Sequence, residues 1–172
     1  MQEYTFLIAI AGILFVGAMS PGPSFLVVAQ NSLAKSRAHG IATAVGTGLG
    51  VSVFALLASL GVTTLIEKVP SIYIGFKVLG GAYLLYLAYR IWGGAKQALP
   101  IPGEQTTEQG GLFKSFLMGL ITQTSNPKTA LVIAGIFAAF VPTNPPENTW
   151  LMVAIIAFVI DCSWYALVAI ML

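Results

Sequence analysis

Long apolar runs separated by short polar breaks dominate the chain, and their lengths predict helical units at residues 4–35, 41–66, 72–92, 112–141 and 149–172. A helix that crosses the hydrocarbon core of a bilayer needs about 20 apolar residues. The first unit is longer than one straight span requires: at 1.5 Å per residue it would reach about 48 Å. It is interrupted by Met19-Ser20-Pro21-Gly22-Pro23-Ser24, and the fourth unit by Thr124-Ser125-Asn126-Pro127-Lys128-Thr129. Proline has no backbone donor and clashes with the preceding turn, so each of these units is predicted to be two half-helices. Inside a membrane, broken backbone survives only where it is buried in protein or lines a watery cavity.

Composition names the solvent. Of 172 residues, 57% are hydrophobic and only 8% are charged, with a mean hydropathy of +0.87. A soluble domain of this size would carry roughly a quarter or more charged residues on its surface. The chain therefore reads as an all-α integral membrane protein whose first partner is the lipid bilayer. Its eight basic residues are scattered and form no face for nucleic acid. A single cysteine, Cys162, excludes an intramolecular disulfide and paired-thiol redox chemistry. No Ser/His/Asp set, metal cluster or phosphate loop stands out, so neither an enzyme nor a cofactor or metal is expected. Residues 4–18 have the length of a signal-peptide core, but no Lys or Arg precedes them, and a retained first helix is expected.

Basic residues orient membrane proteins. Lys35 and Arg37 lie between the first two spans, and Arg90, Lys96 and Lys114 flank the polar stretch that follows the third; the turn at 142–148 has none. This places the N-terminus outside and the linker in the cytoplasm. Tyr4, Tyr73, Trp92 and Trp150 fall near span ends, as interfacial aromatics do.

The two halves are alike. Pro23-Ser-Phe-Leu-Val-Val-Ala29 resembles Pro127-Lys-Thr-Ala-Leu-Val-Ile-Ala134, and Ser52-Val-Phe-Ala-Leu56 resembles Ser163-Trp-Tyr-Ala-Leu167. The expected organisation is a three-span repeat over 1–94, a cytoplasmic linker over 95–111, and a second repeat over 112–172 with two spans only, inverted because a three-span repeat puts the copy that follows it upside down. Paired proline breaks in two such halves point to a transporter's binding site. Nothing in the second copy corresponds to the third span, so the second repeat reads as incomplete, lacking a sixth helix.

These residues resemble the lysine-exporter family, in its homoserine/threonine- and leucine-exporter branch. The resemblance covers essentially the whole chain. It rests on Ser20-Pro21-Gly22-Pro23, the Gly46/Gly50 helix, Gly80-Gly81-Ala82-Tyr83-Leu84-Leu85-Tyr86-Leu87, Asn126-Pro127-Lys128, and Asp161. It implies a multi-pass amino-acid exporter of the bacterial inner membrane, with six helices in two inverted halves, driven by the proton gradient. Two departures stand out: Ser24 occupies a position where many members carry Asp or Asn, and members usually run some 30 or more residues longer.

The candidate site follows from the breaks. Pro21, Gly22, Pro23 and Ser24 would present the unpaired N–H groups of a half-helix to a substrate carboxylate, with Pro23 suited to the first helical position. Asn126 would cap the second half-helix and Pro127 begin it. Lys128 is anomalous: a cation opposes the dipole at a helix N-terminus, and a charge at bilayer depth costs about 2.5–3.5 kcal/mol on insertion scales. A substrate carboxylate, an ion pair or a purely structural partner has to offset that cost. Asp161 is the acidic residue deep in a span, a default functional position. It is read as receiving the substrate ammonium, carrying the coupling proton, or pairing with Lys128.

Weaker candidates are Gln30 and Asn31 (lining or capping), Tyr83 and Tyr86 (packing), Thr122, Gln123 and Thr124 (polar groups for the cavity), and His39 (a solvated turn residue). Ala42, Gly46 and Gly50 form a small-residue stripe for close helix packing, Lys77 can snorkel, and Cys162 reads as a small core residue. The leading expectation is a secondary transporter exporting a small or neutral amino acid by antiport with protons, with oligomeric state open, a homo-oligomer included. The alternatives are a transport-inactive short form of the same family and, far behind, a membrane electron carrier, for which the cysteines are wanting.

Overall fold

A computed structural model describes residues 5–68, 110–142 and 145–172, together with helical positions 75, 78, 82, 85 and 89. Among the described residues the chain forms six helices and no strand: α1 (Thr5–Met19), α2 (Pro23–Ala34), α3 (Arg37–Lys68), α4 (Leu112–Thr124), α5 (Pro127–Phe140) and α6 (Thr149–Met171). Most of the third span expected at 72–92, including Lys77, Tyr83, Tyr86 and Gly80-Gly81, and nearly all of the 95–111 linker lie outside the described residues.

Both proline interruptions appear where the sequence puts them. α1 and α2 meet at an angle of 56°. Gly22 is the N-cap of α2 with no side-chain cap, and Pro23 occupies its first turn. In the other half Asn126 caps α5: its side-chain oxygen accepts from the Lys128 backbone N–H at 3.1 Å, and Pro127 follows the cap. α3 begins four residues earlier than the apolar pattern suggested. Ser36 explains this, because its hydroxyl accepts from the His39 N–H at 3.4 Å and its carbonyl from the Gly40 N–H at 3.1 Å, which turns a polar stretch into a capped first turn.

Among the described residues two helices are long and apolar enough to cross a membrane, α3 over Arg37–Ser59 and α6, and the bent α1–α2 pair passes the same test when its two halves are taken together. The outer faces are what lipid requires. On α6, Leu151, Ile155, Val159, Leu167 and Ile170 are exposed at helical spacing, while Val153, Ala157, Asp161, Tyr165 and Ala169 on the opposite face are buried. Trp150 is half-exposed at the start of this span.

α3 is the central helix, packed against α4 and α6 and touching α2 and α5. Its approach to α4 is backbone on backbone. A Cβ on Gly46 would fall on the carbonyl of Phe116, and one on Gly119 would fall on that of Thr43. The small-residue stripe thus does what was expected of Gly46, and Gly50 faces Gln123 in the same contact. One apolar cluster, with Ile10, Leu14, Ile136, Phe137 and Val153, fills the bundle toward the α1 N-terminus; a smaller one, with Val28, Ala44, Tyr165 and Ala169, lies toward the α2–α3 turn.

Candidate functional site

The two interruptions meet in the bundle interior. The Lys128 ammonium donates to the carbonyl oxygen of Ser20 at 2.9 Å and to that of Gly17 at 3.4 Å. These carbonyls close the end of α1, where a helix leaves acceptors unpaired and its dipole is negative. The lysine opposes the dipole of its own half-helix and complements that of another. In this conformation the α1 end, rather than an acidic side chain, balances Lys128.

A directed chain of buried hydrogen bonds runs beside it. Asn126 Nδ2 donates to Ser24 Oγ at 3.4 Å, Ser24 donates to Gln123 Oε1, and Gln123 Nε2 donates to Asp161 Oδ1 at 3.3 Å. Four elements are joined in this way: the second break, the first turn of α2, the last turn of α4, and α6. The Asp161 carboxyl is buried, and its Oδ2 has no hydrogen-bond partner. A buried acceptor left open in this way is costly unless something fills it part of the time. Thr47 of α3, wholly buried, stands near the same carboxyl but donates its hydroxyl to the Ala44 carbonyl at 2.9 Å. No ion pair joins Lys128 to Asp161; each has the partners just named.

A small cavity, partly open to its surroundings, lies between these groups. Its polar wall is Gly22, Ser24, Gln123, Asn126, Lys128 and Asp161; its apolar wall includes Leu14, Val132 and Ala157. A cation, a carboxylate with a free oxygen, a half-helix N-terminus and an apolar wall suit a small zwitterion. Pro21, Pro23 and Pro127 are exposed and stand outside this lining: they shape the breaks without touching the cavity.

Of the weaker candidates, Gln123 proves central, while Thr124 turns its hydroxyl back to Leu120 and Ile121 of its own helix. Asn31 is buried and bonds Val27 and Ser115. His39 is half-buried, between the Ser36 hydroxyl at 2.8 Å and the Gly110 carbonyl at 3.1 Å. Thr47 was missed by the sequence reading. Its signal is that Thr43 and Thr47 stand four apart, on one face of an otherwise apolar helix.

Residues 15–172 match the model of the LysE type translocator family. The chain is 34% identical over 165 residues to the threonine efflux protein of Escherichia coli (strain K12), covering 94% of this chain and 79% of the relative. Its identity to the threonine efflux protein of Salmonella typhi is also 34%, over 93% of this chain and 78% of that one. An uncharacterized membrane protein of Pseudomonas aeruginosa is 35% identical over 86% of this chain and 69% of its own length. No solved structure matches the chain. Translocators of this kind are transporters rather than enzymes, and with a family match over nearly its whole length this chain belongs to the LysE type translocator family.

Proposed function

We propose that the protein exports a small or neutral amino acid across the bacterial inner membrane, with its N-terminus outside and the two broken helices forming the substrate site. The observation that carries this reading is the convergence of both breaks on one cavity bordered by Lys128 and Asp161. The substrate carboxylate is received by Lys128 and the uncapped first turn of α2 at Gly22 and Ser24, with Asn126 in the wall beside them and Pro23 and Pro127 setting the two breaks. The ammonium goes to the open oxygen of Asp161. Proton coupling is assigned to the same carboxyl, which alternates between charged with cargo and protonated without it. Rocking of inverted repeats, 1–94 against 112–172, then exposes the site to each side in turn. The relatives named as threonine efflux proteins make threonine the first substrate to try.

The test is efflux from cells preloaded with radiolabelled amino acids, together with resistance to toxic amino-acid analogues. Expression should accelerate efflux of at least one neutral amino acid, and Asp161→Asn and Lys128→Ala should each abolish the gain. Unchanged efflux and resistance across a broad amino-acid panel would sink the reading.

A further inference from the structure

The bundle is sealed differently at its two ends. Toward the α1 N-terminus the seal is apolar, with Ile10, Ile136, Phe137 and Val153 in one cluster. Toward the α2–α3 turn, α2 and α4 are joined by two buried side-chain contacts: Ser24 to Gln123, and Ser115 Oγ to Asn31 Oδ1 at 3.4 Å. The partners lie seven residues apart on α2 and eight apart on α4, in opposite chain directions, which is a polar seam between antiparallel helices. Parting the seam exchanges intramolecular hydrogen bonds for bonds to water, a small net change. Parting an apolar plug exposes apolar surface that water does not compensate. The smaller apolar cluster at this end joins α2, α3 and α6 and has no member on α4, so the α2–α4 seam is the contact that parts more readily.

Gln123 belongs to both the seam and the site. One end of its amide accepts from Ser24 and the other donates to Asp161 Oδ1. Asp161 Oδ2, buried and without a partner, is the oxygen free to receive a further group. We propose that Gln123 is the positioning residue that ties the occupancy of Asp161 to the α2–α4 seam. This rests on reading Asp161 as the receiver of the substrate ammonium. An ammonium has three donors, and when both carboxyl oxygens turn to it Oδ1 is withdrawn from Gln123. The amide then turns, Ser24 loses its acceptor, and the seam parts toward the Lys35–Arg37 end.

The test uses the full chain in detergent with Cys162→Ser removing the native thiol. Ser115→Cys then supplies a reporter thiol in the seam, at a position 0% exposed, and Ile136→Cys, in a separate sample, supplies one in the apolar plug, also 0% exposed. Labelling by a hydrophilic maleimide is followed with and without saturating L-threonine. The seam thiol should react slowly alone and at least fivefold faster with threonine. With Gln123→Met, which keeps bulk but not the hydrogen bonds, it should react fast in both conditions, while the plug thiol stays slow. Ser24→Ala cuts the same link from the other side and should also give constant fast labelling.

A seam thiol that stays slow in both variants overturns the proposal, as does equally fast labelling of the plug thiol, which would mean general loosening. Calorimetric titration of threonine into the parent protein separates the two readings. Absent binding would count against the threonine-site reading alone, while ligand-independent fast labelling of Gln123→Met would still support the seam link.

Discussion

The ammonium of Lys128 lies 2.9 Å from the carbonyl oxygen of Ser20, so that the second broken helix grips the end of the first. That contact explains how a lysine persists at the start of a helix deep in an apolar bundle. The carbonyls at the α1 end supply negative potential that its own helix denies it. It also leaves the cation beside the cavity.

Lys128→Met separates function from stability. Removing the charge relieves an insertion cost of about 2.5–3.5 kcal/mol and forfeits hydrogen bonds from a charged group worth about 1.5–3 kcal/mol each. The two nearly offset, so thermal unfolding in detergent should move by no more than a few degrees. Efflux should fall at least tenfold. A large loss of stability would make Lys128 a structural lysine.

Asp161→Asn and Asp161→Ala should differ in stability but not in transport. Asparagine keeps an oxygen to accept from Gln123 Nε2, now at 3.3 Å from Asp161 Oδ1. Alanine strands the buried amide at a cost of about 1–3 kcal/mol. Both should lose export in the efflux assay, with alanine unfolding at the lower temperature. Equal unfolding temperatures would show that the Gln123 contact carries no weight.

Gly22→Ala tests access to the cation. The backbone there is extended at φ −166°, which alanine adopts freely. The added methyl would stand 3.7 Å from Lys128 Nζ, an ordinary contact. Folding should be unaffected. The half-saturating substrate concentration for efflux should rise severalfold, because the methyl covers the approach to the ammonium; an unchanged value would place the carboxylate elsewhere.

Glycines on α3 and α4 should respond by position. Gly119→Ala places a methyl on the Thr43 carbonyl and Gly46→Ala places one on the Phe116 carbonyl, with no flexible side chain to give way. Each should destabilise by about 1–3 kcal/mol, the usual cost of overpacking. Gly12→Ala meets nothing within 4 Å and should be neutral or stabilising by about 0.5–1 kcal/mol, as expected in a helix interior. Thermal unfolding of the three variants side by side decides it.

Much of this architecture can be read without coordinates. The unit boundaries of α1, α2, α4, α5 and α6 follow from apolar run length and from Pro23 and Pro127, which act locally through their missing donors and fixed backbone angle. Asn126 as a cap and Gly46 as a packing glycine follow from rules spanning only a few residues. The early start of α3 escaped because Ser36 caps through a hydroxyl in a stretch that looks like loop. Gln123 was one name among three adjacent polar residues, and only the helical phase at the end of α4 turns it inward while Thr124 faces out.

Sequence alone determined that the solvent is lipid, that two helices must break, and that a lysine and an aspartate would lie deep within the bundle. These follow from hydropathy and backbone chemistry, which act residue by residue. The tertiary structure decided the partners. It set Lys128 on the carbonyls of Gly17 and Ser20 rather than on Asp161, and Asp161 on Gln123 with one oxygen left open. Those pairings join residues 38 to 111 positions apart in the chain. Which of several equally polar groups comes within hydrogen-bonding distance depends on how α1, α4 and α6 cross α3 and α5, and no local rule encodes a crossing.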